Sequence, residues 1–287
     1  MINELIRKTI REMVGGSGGP PIAFLTPKGD RGLFGPESIA WQVHADFISM
    51  MIGGISSLVL QALHPQALAG VWDHSSFRED LKGRLGRTAF FIAATTYGPL
   101  EMAHGVINKV NGIHQHIHGH DEFGKPYKAT DPHLLAWVHL TETLSFLNAY
   151  QSYRYPKLSI AQQDQYFKEM KVLGEMMGAK DLPDTLAGTK AAIEQYQPEL
   201  HYGQRAQSII HLLDHFPSNL QSKPFIKLIS KAGFQNLPHW AFDILKKPIP
   251  SRLEQMVVNN SIDLIAIPIR EALKDGVAAH SYRRIYG

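Results

Sequence analysis

The sequence predicts an all-α protein folded as a single multi-helix globular domain, and three observations point there. From residue 36 onward apolar residues recur at helical spacing between recognisable helix starts and stops. No convincing run of period-2 alternation competes with them, and no repeat, low-complexity tract or clear linker follows residue 21. With 287 residues and 44% apolar content, the chain has enough material for one substantial core.

The elements follow in order. Ile2, Leu5, Ile6, Ile10 and Met13 share one helical face opposite Glu4, Arg7, Lys8 and Arg11, so residues 1–14 are expected to form an amphipathic helix. GGSGGPP at 15–21 opens a flexible linker, expected to run to residue 31 and leave 32–287 as the main domain. Such a helix docks most simply on its own body; a homodimer partner and a membrane surface are the other candidates. The same early charges interrupt any secretory signal, so the expected location is cytoplasmic, at most peripheral to a membrane. Residues 47–72 carry no Asp, Glu, Lys or Arg and are long enough to span a bilayer. Gln61, His64, Pro65 and Gln66 would be costly in hydrocarbon, however, so a buried core helix followed by a turn is expected.

Further along, Arg84, Arg87 and Thr88 open an apolar helix in residues 83–98. Pro99 and the apolar spacing after it predict a helix through His114, with Gly119 placed to end it. Thr130-Asp131-Pro132 offers a cap and a first-turn proline for a long apolar helix reaching Tyr153. Ser159 can cap the next, from Ile160 to Met177. Prolines from 183 to 268 are expected to divide the remainder into short helices.

Composition excludes several kinds of chemistry. The absence of cysteine removes disulfides, thiolate zinc sites, iron–sulfur clusters and a cysteine nucleophile. A net charge of only +3 provides no field for sequence-independent nucleic-acid binding. A metal would have to be held by histidine and carboxylate.

NGIHQHIHGHDEFG, residues 111–124, has a histidine at every second position from His114 to His120. A helix would pair His114 with His118 and His116 with His120, whereas a strand would project all four to one side. A ligand set and a solvated surface both remain open on spacing alone. Glu101 and His104 form one Glu-x-x-His, half of a di-iron carboxylate site, but no second copy occurs. Glu101, His104 and His114 leave a mononuclear non-haem zinc or iron site as an alternative, and a cofactor-free lipid or small-molecule carrier is another. His139 and Glu142 share one face of an otherwise nearly uncharged helix. A buried carboxylate there needs an arginine partner, with Arg84 or Arg87 nearest in sequence, or serves as an acid or base. Arg84 and Thr88, one turn apart, are expected to look the same way.

In sequence order, GLFGPESIAWQVHAD, LQALHPQALAGVWDHSSF, RLGRT, NGIHQHIHG and YKATDPHLLAWVHLTETLSF together resemble the MpaB-type oxygenase family, which is related to the catalytic domain of the latex clearing proteins. The resemblance covers about residues 32–155 and extends more loosely beyond. It implies a helical fold carrying haem b, in an enzyme that uses dioxygen on an apolar, isoprenoid or lipid substrate. Those rubber oxygenases carry Arg-x-x-Lys-Thr ahead of the proximal haem histidine. Arg84-x-x-Arg87-Thr88 followed by His114 fits, which implies His114 as axial iron ligand and Arg84, Arg87 and Thr88 around the cofactor. Arg87 replaces a lysine that can ligate iron; a guanidinium cannot, so the far side is expected to be open, to hold water or to be taken by another histidine such as His64 or His139. Glu142 stands in for the family's catalytic base.

Overall fold

In a computed structural model the described residues are 4, 6–8, 10, 22–215 and 222–287, without the side chains of 81 and 82. Among them are thirteen α-helices, two short 3-10 turns and one small hairpin. The described residues of the N-terminal segment are helical. Ile10 is buried against Ile48, Ile52 and Ile262, and the Arg7 Nε donates to the Ala272 carbonyl at 2.6 Å, so this part docks on the chain's own body. Residues 15–21 lie outside the description. Residues 22–31, expected to be linker, are pinned instead. Phe24 in the 3-10 turn Ile22–Leu25 is buried, and Gly29 N–H donates to the Arg284 carbonyl at 2.7 Å.

Helix α1 (Ile39–His44) is capped by Ser38, and α2 (Phe47–Ala62) by Asp46, whose carboxylate accepts from Ser49 N–H. Leu63 and His64 break the chain before α3 (Pro65–His74), which leaves at 104° to α2. The uncharged stretch is thus a buried helix and a turn, and no single helix among the described residues is long and apolar enough to cross a membrane. Then come α4 (Leu81–Tyr97) and α5 (Leu100–His114). α5 stops at His114, short of the expected Gly119. His118–His120 instead pairs antiparallel with Pro126–Lys128 as strands β1 and β2, with Gly119 opposite Tyr127. The Asp121 carboxylate accepts from Phe123 and Lys125 N–H, and Gly124 turns at φ +80°. This turn chemistry competes successfully with helix continuation.

Asp131 caps α6 (Pro132–Tyr153), and a Ser159–Gln162 capping box starts α7 (Ile160–Met176). The remaining helices are α8 (Leu186–Gln195), α9 (Gln204–Asp214), α10 (Lys223–Gln235), α11 (His239–Leu245), α12 (Arg252–Ala272) and α13 (Val277–Tyr286). Pro268, expected as a break, lies inside α12 on its exposed face, where the carbonyl it leaves unpaired can reach water.

α2 is the central element, with its largest interface against α6 and the next against α10. The backbones approach closely where Gly53 meets α6: a Cβ there would lie 2.9 Å from the Phe146 Cα and 2.9 Å from the Ser145 carbonyl oxygen. Gly233 of α10 likewise leaves room for Ile55 of α2. Asp46, 4% exposed at its side chain, accepts from Arg270 Nε at 2.6 Å and from Arg270 Nη2 at 3.0 Å. Arg270 also donates to the Tyr153 carbonyl, so one ion pair joins the start of α2, the end of α6 and α12.

Two substitutions test this frame by chemical denaturation. Gly53→Ala lowers stability by about 1–3 kcal/mol through overpacking, whereas Gly54→Ala, whose added methyl meets nothing within 4 Å, does not. Asp46→Ala strands Arg270 and removes a helix cap, costing about 3 kcal/mol.

Candidate functional site

Helices α4 and α5 pack chiefly on each other, and neither shares a substantial interface with α6 or α7. α5 fully buries only Ala103 and Ile107, and a hydrogen bond from Asn111 Nδ2 to the Met176 carbonyl, 2.9 Å, ties its end to α7. Facing apolar side chains such as Phe91, Leu135 and Val138 stay only partly buried although they adjoin the main core. The α4–α5 junction is nonetheless anchored to the body, with residues 94–99 buried and Arg284 donating to the Tyr97 and Gly98 carbonyls.

His114 ends α5. Its Nδ1 is sealed from solvent and has no hydrogen-bond partner, while the other ring nitrogen has no partner either but is not sealed. Burial lowers its pKa, so the imidazole is neutral at neutral pH. Arg84, one of the expected partners, is also drawn inward, with its pKa lowered by burial and by the charge of Arg87. It makes no ion pair or hydrogen bond with any described residue. A desolvated guanidinium without an anion is a place where an anion is favoured. Arg87 turns to the surface and pairs with Asp80, 3.3 Å away, and Thr88 is exposed, so Arg84 and Thr88 differ in surroundings despite their spacing.

His139 and Glu142 lie deep in the bundle on one face of α6. Burial moves both toward their neutral forms: His139 down to about 4 and Glu142 up to about 7. Neither Arg84 nor Arg87 pairs with Glu142, which has no hydrogen-bonding partner among the described residues. Both side chains nonetheless keep some accessible surface, so they border open interior space rather than sit in packed core. The His139 ring lies over Gly174 of α7, where an added Cβ would come within 2.8 Å of its Nε2. Close to Glu142, the buried Tyr166 hydroxyl meets His44 Nε2 at 3.0 Å, and His44 Nδ1 meets Thr96 Oγ1 at 2.8 Å. Burial lowers His44 to about 3, so this chain works with a neutral imidazole. Sequence spacing had not singled out His44, Thr96 or Tyr166, because they come from three separate helices.

His64 occupies a different neighbourhood from Arg84 and His114. It is 1% exposed and lies against the rings of Trp137, His133 and Tyr196, with Glu199 3.4 Å from its Nε2. Glu101 and His104 are exposed, and among the described residues no group of metal-ligating side chains gathers them with His114. His116, His118 and His120 are exposed around the β1 hairpin.

The family model described as ER-bound oxygenase mpaB/B'/rubber oxygenase, catalytic domain, matches residues 41–267. The chain belongs to this family. The match runs from α1 into α12. No curated protein and no solved structure matches the chain. Membership puts this MpaB/rubber-oxygenase chain among oxygenases, within the oxidoreductases.

Glu142 gives the site a pH signature. Its pKa is raised on folding, so its favourable contribution is complete below the unfolded value of 4.5 and is lost as pH rises through about 7. Glu142→Gln therefore matches the parent apo-protein below pH 4.5 and exceeds it above pH 7 by about 1–3 kcal/mol. Urea unfolding of the two proteins across that range reads the difference, and a constant offset would contradict the assignment.

Proposed function

We propose that this chain is a haem b-dependent oxygenase that acts with dioxygen on an apolar, isoprenoid or lipid substrate. The observation that carries the reading is His114, a neutral imidazole whose sealed Nδ1 has no hydrogen-bond partner, together with Arg84, drawn inward without an ion-pair partner among the described residues. These residues fit the group. His114 would hold the iron, and Arg84 would pair with an anionic propionate. Haem, when bound, supplies the redox chemistry that dioxygen requires. Arg87 is committed to Asp80 at the surface, so we assign it no part in cofactor contact.

The chain's own residues supply the rest. Partly exposed apolar side chains, Phe91, Leu135 and Val138, give a hydrocarbon chain a surface to bind and keep water sparse. Glu142, with a pKa of about 7, can take a proton from a substrate carbon on its carboxylate oxygen and release it again near neutral pH. His139 stays neutral and is positioned by Gly174 and α7. The family match supports oxygenase chemistry, and the orphaned His114 and Arg84 support haem as the group involved.

Expression with haem supplementation tests the reading. The wild-type protein binds one haem with a strong Soret band, and His114→Ala loses it. Glu142→Gln keeps haem and lowers oxygen consumption with an isoprenoid substrate by about 100-fold or more. Full haem stoichiometry in His114→Ala removes the ligand assignment, and a colourless wild-type protein removes the haem reading.

A further inference from the structure

A cluster of potential metal-ligating side chains lies where three element junctions meet. His64 is the capping residue between α2 and α3, His133 is the second residue of α6, and Glu199 closes the 3-10 turn Gln197–Glu199. The Glu199 carboxylate offers one oxygen to each imidazole: Oε1 lies 2.8 Å from His133 Nε2, and Oε2 lies 3.4 Å from His64 Nε2. All three candidate ligand atoms fall within 4.8 Å of one another. Ligand atoms around a tetrahedral zinc-sized ion are separated by about 3.3 Å, so modest side-chain adjustment suffices.

The decisive group is His64. Its ring is 1% exposed, and neither of its nitrogens has a hydrogen-bond partner, although Nε2 is aimed at Glu199. Burying an imidazole without satisfying it is costly, and a cation between His64 and Glu199 would satisfy Nε2. The other two ligands are positioned independently. Asp131 caps the helix start at His133 N–H, the His133 ring stacks on Tyr196 with centroids 4.4 Å apart, and the Tyr196 hydroxyl donates to the His133 carbonyl at 3.0 Å. His133 and Glu199 are partly exposed, so one face of the site opens to solvent for ion entry and a water ligand.

We propose that His64, His133 and Glu199 bind a divalent first-row transition ion of the zinc class, separate from the interior site on α4–α6. Two imidazoles and one carboxylate suit such an ion, whereas magnesium and calcium favour all-oxygen sets. The bound ion clamps the α2–α3 turn, the start of α6 and the 197–199 turn together.

The test uses full-length, tag-free, haem-free protein treated with EDTA and titrated with cobalt(II) as a spectroscopic probe. The expected result is one equivalent bound, with a visible ligand-field band displaced by zinc and a higher unfolding temperature in the loaded protein. His133→Ala and Glu199→Gln, both at partly exposed positions that do not threaten the fold, each weaken binding at least tenfold. The haem Soret band of separately reconstituted protein is unchanged in both, which distinguishes this site from the one on His114. Absence of a cobalt band in the wild type overturns the proposal. So does undiminished affinity in either variant, an outcome that would move the ion to surface histidines such as His116, His118 and His120.

Discussion

The architecture depends on the close approach of two helix backbones. α2 meets α6 across Gly53, where the Phe146 Cα and the Ser145 carbonyl occupy the space a side chain would need. On another side Gly233 admits Ile55, so α2 is enclosed by neighbours on more than one face. Small residues permit dense packing, and dense packing fixes rotation about the helix axis. That rotation decides which face of α6 points at α2 and which is left for His139 and Glu142. The Asp46–Arg270 pair then fixes where α2 starts.

The interior polar groups are explicable only against this rigid background. Packed core would neutralise a carboxyl group and leave it inert, and full solvation would return it to its ordinary range. Glu142 is between these limits: far from bulk solvent, beside space, and without a counter-charge. With the Arg84 cation on α4 and the Glu142 acid on α6, no direct salt bridge quenches either one. Unpartnered interior groups are costly, and the presence of several of them is the physical ground for regarding this region as a site.

Much of the helical layout was legible in the sequence because its signals are local. Asp131-Pro132 and the Ser159–Gln162 box set helix starts within a few residues, and apolar spacing sufficed for α2 and α6. The C-terminal end of α5 and the course of α12 were less legible. A carboxylate turn at Asp121 and solvent access at Pro268 outweighed the propensities used to place Gly119 as a helix stop and Pro268 as a break. Of the candidate site, the inward position of Arg84 and the depth of Glu142 agree with the patterning. Arg87 and Thr88 occupy the same helix start but face outward, a distinction that face periodicity at a helix terminus is too coarse to make. Glu199 was invisible, because its partners His64 and His133 lie far away in the chain and no spacing rule connects them.

The modest burial of α5 has its own consequence. Elements that bury little area open at a lower free energy than the global unfolding of the protein. Backbone amides of α5 therefore exchange with solvent at a lower free energy than those of α2 and α6, which the Gly53 contact and the Asp46 ion pair hold.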